Sequence, residues 1–520
     1  MRAPWRKTGF DRGTLSTFAR TEMSRRTTLV SGAMALAATC ALAACGADPD
    51  PDIIPTLARR ADTALGDRIA GGPPLFVAGE ELDVALLQRF YVRHGFEPVW
   101  TTQHAQANSL VDAVLRAGDQ GLDPELFHAT QLRRRETLPL LDRDLLLSDA
   151  FLSYADALAR GAVPLERRQD DQVLTPEPIN VAAVLDDAAD SDDPGAVIEA
   201  LAPTTPTYRA LRQALEKYRS DAPEGHKTEG HKIEGHKTAG HNTASHNTAS
   251  HNTAAHNTAA HNIATNHLHT IVVNLERQRW LPRPLPADRV WVNVAAEQLV
   301  LYRADRPVFS TRIVVGQDVE NNQSPEFRAT IDASFFNPPW VIPADIAKAE
   351  ILPLLGRDAD YLTRNRMVLL AGGEVEQLPG PDAGLGLIMF DMPNRFDVYL
   401  HDTPDRDIFN RDNRRISHGC IRVQNPLQFA ALLMGEPIDT INQGIARGLV
   451  TGITTRNDLP VPVPVFVVYQ TADADTDGTL QFYPDFYNRD AEIWRKLQKG
   501  TPRRGPAIQA DNRPPLPKPF

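Results

Sequence analysis

Cysteine is nearly absent from this chain: 520 residues hold Cys40, Cys45 and Cys420 and no others. The first two sit within and at the end of one apolar stretch, so a disulfide framework is excluded and Cys420 has no partner left. Positive charge is also short. Lys and Arg number 55 against 66 Asp and Glu, a net charge of −11 with no basic stripe, which argues against a nucleic-acid partner. The apolar run from Leu29 to Ala44 falls short of the about 20 residues a membrane-spanning helix needs. What remains is 42% hydrophobic residues, enough for real cores, on a length that suggests about two to four domains.

The short apolar run fits the core of an export signal behind a positive flank, Ser24-Arg25-Arg26-Thr27-Thr28. The paired arginines resemble a twin-arginine signal. Leu42-Ala43-Ala44-Cys45 resembles a lipobox, in which Cys45 is diacylated and becomes the new N-terminus; the alternative is an ordinary signal cut nearby at an Ala-x-Ala site. Gly46 rather than Asp follows, which by resemblance to Gram-negative lipoproteins directs the chain to the outer membrane, on its periplasmic side. Residues 1–22 precede Met23 and fit no signal pattern. An unpaired thiol retained in an oxidising compartment points to chemistry rather than packing.

The rest divides by composition. Residues 46–79, which begin rich in Ala, Asp and Pro, read as a linker. From 80 to 218 apolar residues recur at spacings of three and four, as in Leu82, Leu86, Phe90 and in Leu211, Leu215, Tyr218, and the region reads as a mostly helical domain. Gly121-Leu122-Asp123-Pro124 and Gly161-Ala162-Val163-Pro164 punctuate it. Residues 219–266 are low complexity, with His226, His231, His236, His241, His246, His251, His256 and His261 recurring every five residues. That period places the imidazoles on no single helix face, and the units lack the apolar bulk to offset their ordering entropy, so a disordered spacer is expected. Loose binding of Zn²⁺, Cu²⁺ or Ni²⁺ is the sharper alternative. From 267 to 495 the character turns to strands: Val290–Val294, Gln298–Tyr302, Thr311–Val315 and Val463–Tyr469. A helical insertion is expected within 337–385, with a helix start at Pro343-Ala344-Asp345-Ile346. Residues 496–520, rich in Pro and Arg, read as a disordered tail. The fold class is therefore α+β and multidomain: a helical domain, a His-rich linker, and a mainly-β domain with a helical insertion.

Cys420 sits in Ser417-His418-Gly419-Cys420-Ile421-Arg422, and His401 lies nineteen residues before it in Tyr399-Leu400-His401-Asp402. A thiolate is the attacking species of a cysteine nucleophile, and a His in hydrogen-bond reach can take the thiol proton. His401 and His418 both qualify, and the residues alone do not choose. A glycine before the nucleophile permits positive φ and close substrate approach, and amides there can face a developing oxyanion. Arg422 brings a guanidinium suited to a carboxylate, or to a structural ion pair.

These residues resemble the motif of the L,D-transpeptidases with a YkuD-type catalytic domain. The likeness extends through Val273–Pro282, Asn337-Pro338-Pro339-Trp340, Gln377–Pro381, Leu385-Gly386, Met392-Pro393-Asn394 and Asp485–Asp490. Phe96–Trp100 and Tyr208–Leu211 resemble the helical scaffold domain of the large Gram-negative members. The resemblance implies acyl transfer through a thioester on Cys420, with His401 the general base and His418 and Gly419 building the oxyanion site. Arg422, Trp340, Ser417 and Tyr399 would contact substrate, and the 337–385 insertion would cap the cleft. The substrates implied are peptidoglycan stems: a tetrapeptide donor and a diaminopimelate acceptor, joined in a 3–3 cross-link. Carbapenems are the implied inhibitors, and no metal or organic cofactor is required. Water as acceptor would give an L,D-carboxypeptidase, and a protein amine would give lipoprotein attachment; cleavage of such links, or a non-catalytic wall-binding scaffold, are further readings. One departure stands out: the His repeats occupy the place where many large members carry a peptidoglycan-binding domain. Lipid attachment at Cys45 would hold the enzyme near the wall instead.

Overall fold

The structure, a computed structural model, describes residues 63–220, 266–319, 321–475 and 477–498. The export segment with Cys45, the spacer up to residue 62, the His repeats and the chain beyond 498 lie outside the described residues. Among the described residues no helix is long and apolar enough to cross a membrane.

The helical domain is organised around the helix Leu140–Arg160, whose buried positions run from Asp144 to Ala159 with few interruptions. A helix apolar on most sides must be covered on most sides. Helices Val84–Tyr91, His104–Leu115 and Val181–Ala189 pack around it. Its Asp144 carboxylate accepts from Val99 N at 3.1 Å, Trp100 N at 2.8 Å and the Tyr91 hydroxyl at 2.5 Å, which fixes the Phe96–Trp100 segment. The chain leaves this helix at Gly161, φ 88°, where an added Cβ would lie 2.5 Å from Glu276 Oε1.

Three expected boundaries move. The span 46–79 is not all linker: Thr63 caps the helix Ala64–Ala70, and Leu65, Ile69, Leu75 and Val77 are buried in the helical domain's core. The helix over 266–279 does not open the β domain. Its Ile271, Val273, Leu275 and Trp280 join that same helical core, and Glu276 accepts from Ala162 N at 2.9 Å and Val163 N at 2.7 Å. The helix Arg489–Gln498 buries Ile493 and Leu497 there too, so the chain is still folded at 496–498. The segment 221–265 therefore leaves and re-enters one domain. The helix Pro206–Ser220 brings the Tyr218 hydroxyl 2.9 Å from His267 Nδ1.

The β domain is built from β1 (Arg289–Asn293), β2 (Gln298–Arg303), β3 (Arg306–Gly316), β4 (Phe327–Phe336), β5 (Trp340–Ile342), β6 (Met367–Leu369), β7 (Val375–Gln377), β8 (Ile388–Asp391), β9 (Leu400–His401), β10 (Arg415–Ser417), β11 (Ile421–Val423) and β12 (Thr455–Val468). The main sheet runs β10-β3-β11-β9-β8-β4-β12-β1-β2, and pairing of β2 with β3 closes it on itself. Val290, Val292, Leu299, Leu301, Ile313, Ile331, Phe390, Leu400, Ile421 and Val465 fill its inside, the alternation expected of strands with one covered face. The insertion between β4 and β8 holds helical turns from Ala344 to Arg364, as expected, and also a three-stranded antiparallel sheet in the order β5-β7-β6. Its own core is small: Ile342, Ala347, Ile351 and Val375.

Candidate active site

Strands β9 and β11 lie side by side and parallel, with Leu400 beside Ile421 and His401 beside Arg422. Ile421 N donates to the Tyr399 carbonyl at 2.9 Å, which aligns Tyr399 with Cys420. Leu400, Ile421 and Val423 face the core. The pleat therefore turns Tyr399, His401, Cys420 and Arg422 to the other face. Cys420 and His401 are diagonal neighbours there, a spacing across which long and aromatic side chains still meet.

Cys420 is half-buried, and its Sγ donates to the Asp397 carbonyl at 3.8 Å. Burial pushes its thiol above the usual range; the Tyr399 backbone and the Arg422 charge pull it back, and Asp397 pushes it up again. His401 is buried, and Nδ1–H donates to the Asp402 carbonyl at 2.6 Å. That bond leaves Nε2 as the basic nitrogen. Burial and the Arg422 guanidinium lower His401 to about 3, against hydrogen bonds with the Asp402 and Leu385 backbones. The resting pair is a neutral thiol and a neutral imidazole. Burial lowers Arg422, while Cys420 and Asp405 hold it up. Tyr399 is raised to about 12 by burial, then by Asp397 and Cys420.

Gly419 has φ 113°, so the turn into Cys420 uses a conformation open mainly to glycine. This bend also breaks the extended geometry that would have put His418 beside Cys420. His418 Nε2 instead lies 2.7 Å from Glu350 Oε1, on the one-turn π-helix Ala347–Ile351 of the insertion. Ser417 is buried; its hydroxyl donates to the Cys420 carbonyl at 2.6 Å and accepts from Gly419 N at 3.2 Å. Both of these hydrogen bonds lie within the turn and hold it. Trp340 is half-buried and packs two ways, into the insertion's core and onto Phe335, Leu385 and Met389, an apolar floor against which Tyr399 also packs.

Four groups were given no role by the sequence reading. Asp402 adjoins His401 in sequence, and its carboxylate accepts from Leu387 N at 2.9 Å, holding the turn that carries the Leu385 backbone. Asn394 clamps the loop that presents Asp397, accepting from Phe396 N at 3.0 Å and donating to the Val398 carbonyl at 2.8 Å. Glu350 and Ser324 lie far from Cys420 in sequence, and no local signal marks them. Among the described residues no group of three or more His, Cys, Asp or Glu could hold a metal ion.

Residues 287–464 match the L,D-transpeptidase catalytic domain family, YkuD, and residues 85–215 match the Scaffold domain family. The chain carries a YkuD-type L,D-transpeptidase catalytic domain behind a Scaffold domain. A Haemophilus influenzae protein named "Putative L,D-transpeptidase" is 25% identical over 441 residues, spanning 78% of each chain. Among solved structures, an L,D-transpeptidase from Mycobacterium smegmatis overlaps 35% of this chain at 13% identity and TM-score 0.19. Mycobacterium tuberculosis L,D-transpeptidase 1 overlaps 35% at 12% identity and TM-score 0.16. The carbamoyl enzyme of Ldtfm with avibactam overlaps 35% at 13% identity and TM-score 0.19. The overlaps take in 58%, 61% and 49% of those three structures, less than two thirds of each. The L,D-transpeptidase match covers most of the closed sheet and its insertion; the Scaffold match runs from the helix Val84–Tyr91 into the helix Pro206–Ser220.

Proposed function

We propose that this L,D-transpeptidase forms 3–3 cross-links between peptidoglycan stems through a thioester on Cys420. The observation that carries the reading is the pairing of β9 with β11, which sets Cys420, His401 and Arg422 on neighbouring strand positions, with the Arg422 charge felt by both the thiol and the imidazole. In the first half, Cys420 Sγ attacks the carbonyl of the donor's third-position diaminopimelate, and His401 Nε2 takes the thiol proton. The C–N bond to the terminal D-alanine breaks, its amine leaves with that proton, and a thioester remains. In the second half, the side-chain amine of another stem's diaminopimelate attacks the thioester. The new C–N bond forms, the C–S bond breaks, and the proton shed by the amine passes through His401 to the sulfur. Gly419 and His418 face the oxyanion in this scheme, with His418 giving up Glu350 as substrate enters. Arg422 and Tyr399 orient the donor, Trp340 walls the cleft, and carbapenems acylate the same sulfur. Lipidation of Cys45 keeps the enzyme at the outer membrane, next to its polymer.

The test is mass spectrometry of the chain from Gly46 with disaccharide-tetrapeptide, beside a Cys420→Ala control. A product equal to two monomers minus one D-alanine, absent from the control, is expected. Tripeptide alone would move the assignment to an L,D-carboxypeptidase. Unchanged substrate with intact enzyme would remove the catalytic reading.

A further inference from the structure

Residues 168–173 leave the helical domain as a strap and run against the two loops that flank Cys420. On one side, Gln172 forms an isolated parallel bridge with Glu326. Glu326 N donates to the Asp171 carbonyl at 2.6 Å, and Val173 N donates to the Glu326 carbonyl at 2.9 Å. Gln172 Nε2 donates to Glu326 Oε1 at 2.8 Å, and Arg489 Nη1 reaches the same oxygen at 3.1 Å. Arg489 also pairs with Asp171 and donates to the Ser324 carbonyl at 3.2 Å. Its guanidinium is fully buried between the strap and the 323–326 loop. On the other side, Arg395 donates to the Asp170 carbonyl, two residues before Asp397, whose own carbonyl meets the thiol.

The 323–326 loop ends on the nucleophile turn. Ser324 is 0% exposed; its hydroxyl donates to the Gly419 carbonyl at 2.8 Å and accepts from Gly316 N at 3.0 Å. Its backbone N donates to the Tyr487 hydroxyl at 3.2 Å, and that hydroxyl donates to the Gly316 carbonyl at 2.6 Å. Beside the Ser417 hydroxyl, which holds Gly419 N and the Cys420 carbonyl, the Gly419 carbonyl of the Gly419–Cys420 peptide is held by the Ser324 hydroxyl. That hydroxyl is held by a loop clamped to the helical domain. The position of a peptide next to a nucleophile matters steeply, because an ångström of displacement can cost about a hundredfold in rate.

We infer that Ser324 is a positioning residue for the nucleophile turn, and that the strap Asp170–Val173 makes the helical domain a working part of the catalytic centre. The inference rests on Cys420 being the nucleophile. It assigns the helical domain a task in the chemical step besides any role in holding substrate. The strap presses on both flanks of the thiol, so loosening it changes the rate of attack rather than the affinity for what is attacked.

The experiment follows acylation of Cys420 by meropenem with the full chain from Gly46, which needs no acceptor. The sulfur adds to the lactam carbonyl, the ring C–N bond opens, the thiol proton ends on the ring nitrogen, and the protein gains the whole mass of the carbapenem. Maximal rate and half-saturating concentration are measured below the unfolding temperature of every variant. Ser324→Ala is expected to lower the maximal rate roughly tenfold, the worth of one buried hydrogen bond at the high end, with half-saturation within about twofold. Ser324→Thr keeps the hydroxyl and is expected to restore most of the rate. Asp171→Asn with Gln172→Ala leaves the catalytic domain's own side chains untouched and is expected to lose about three- to fivefold in rate. Strap variants with the wild-type rate would overturn the coupling, as would a loss in Ser324→Ala that Ser324→Thr does not recover. A wild-type chain that meropenem leaves unmodified would instead overturn the assignment of Cys420 as nucleophile, and the inference with it.

Discussion

Lowering the pH should unfold this enzyme partly through its own active site. His401 is 3% exposed, and burial followed by the Arg422 charge lowers its imidazole from 6.5 to about 3. In the unfolded chain the ring takes a proton near pH 6.5; in the folded chain it stays neutral until near pH 3. Between those values the unfolded state binds more protons, so stability rises with pH across this window and is lost as pH falls through it. Each unit is worth about 1.4 kcal/mol, so moving from pH 7 to pH 5 removes about 2 kcal/mol through this group alone. The carboxyls of Asp402 and Asp473, raised by burial, act with the opposite sign. A difference between two chains that share them isolates His401. Urea unfolding of wild type and His401→Gln at pH 7 and pH 5 is the assay. The wild type is expected to lose about 2 kcal/mol more than the variant over that interval. Equal losses would refute the picture of a buried neutral imidazole.

The same resting neutrality makes Cys420 a slow thiol: its alkylation by iodoacetamide should still be rising at pH 9, and a plateau at or below pH 7 would contradict the raised thiol. Glu350→Gln removes a partner of His418 whose side chain is 55% exposed, and should raise the carbapenem acylation rate by about two- to fivefold, the range of an exposed pair; an unchanged or lower rate would remove Glu350 as a latch. Gly419→Ala places no atom closer than 3.7 Å to a neighbour, yet demands φ near 113° of a residue with a Cβ. Such strain costs about 1–3 kcal/mol, so a loss of at least about fivefold in acylation is expected. A wild-type rate would show that the turn relaxes freely.

Local chemistry was legible in the chain before its fold. Val290–Val294, Gln298–Tyr302, Thr311–Val315 and Val463–Tyr469 alternate or run apolar strongly enough to declare strands, and β1, β2, β3 and β12 form there. The Ser417–Arg422 motif singled out Cys420 as a candidate nucleophile because a lone thiol beside Gly and His has few other uses. The parallel pairing of β9 with β11, the closure of β2 on β3 and the grip of Ser324 on Gly419 had no such signal. They depend on which strands meet, and nothing in Ser324 itself names a carbonyl 95 residues away. The boundary at 267 was misread for a related reason. Val273–Pro282 directly precedes the β domain in the chain, while its apolar side chains are buried in the other domain. Glu350 is an ordinary exposed acid until the insertion folds over the motif.

The neighbouring positions of Tyr218 and His267 bear on how such a chain can change over generations. An insertion whose two ends emerge side by side from one finished core is a detour, and the entropy of closing it grows only by about 0.6 kcal/mol for each doubling of its length. Repeats can multiply there, or a whole foreign module can settle in, with no residue of the catalytic centre registering the event. A protease that nicks the detour would release nothing, because both sides of the cut remain packed in the same core.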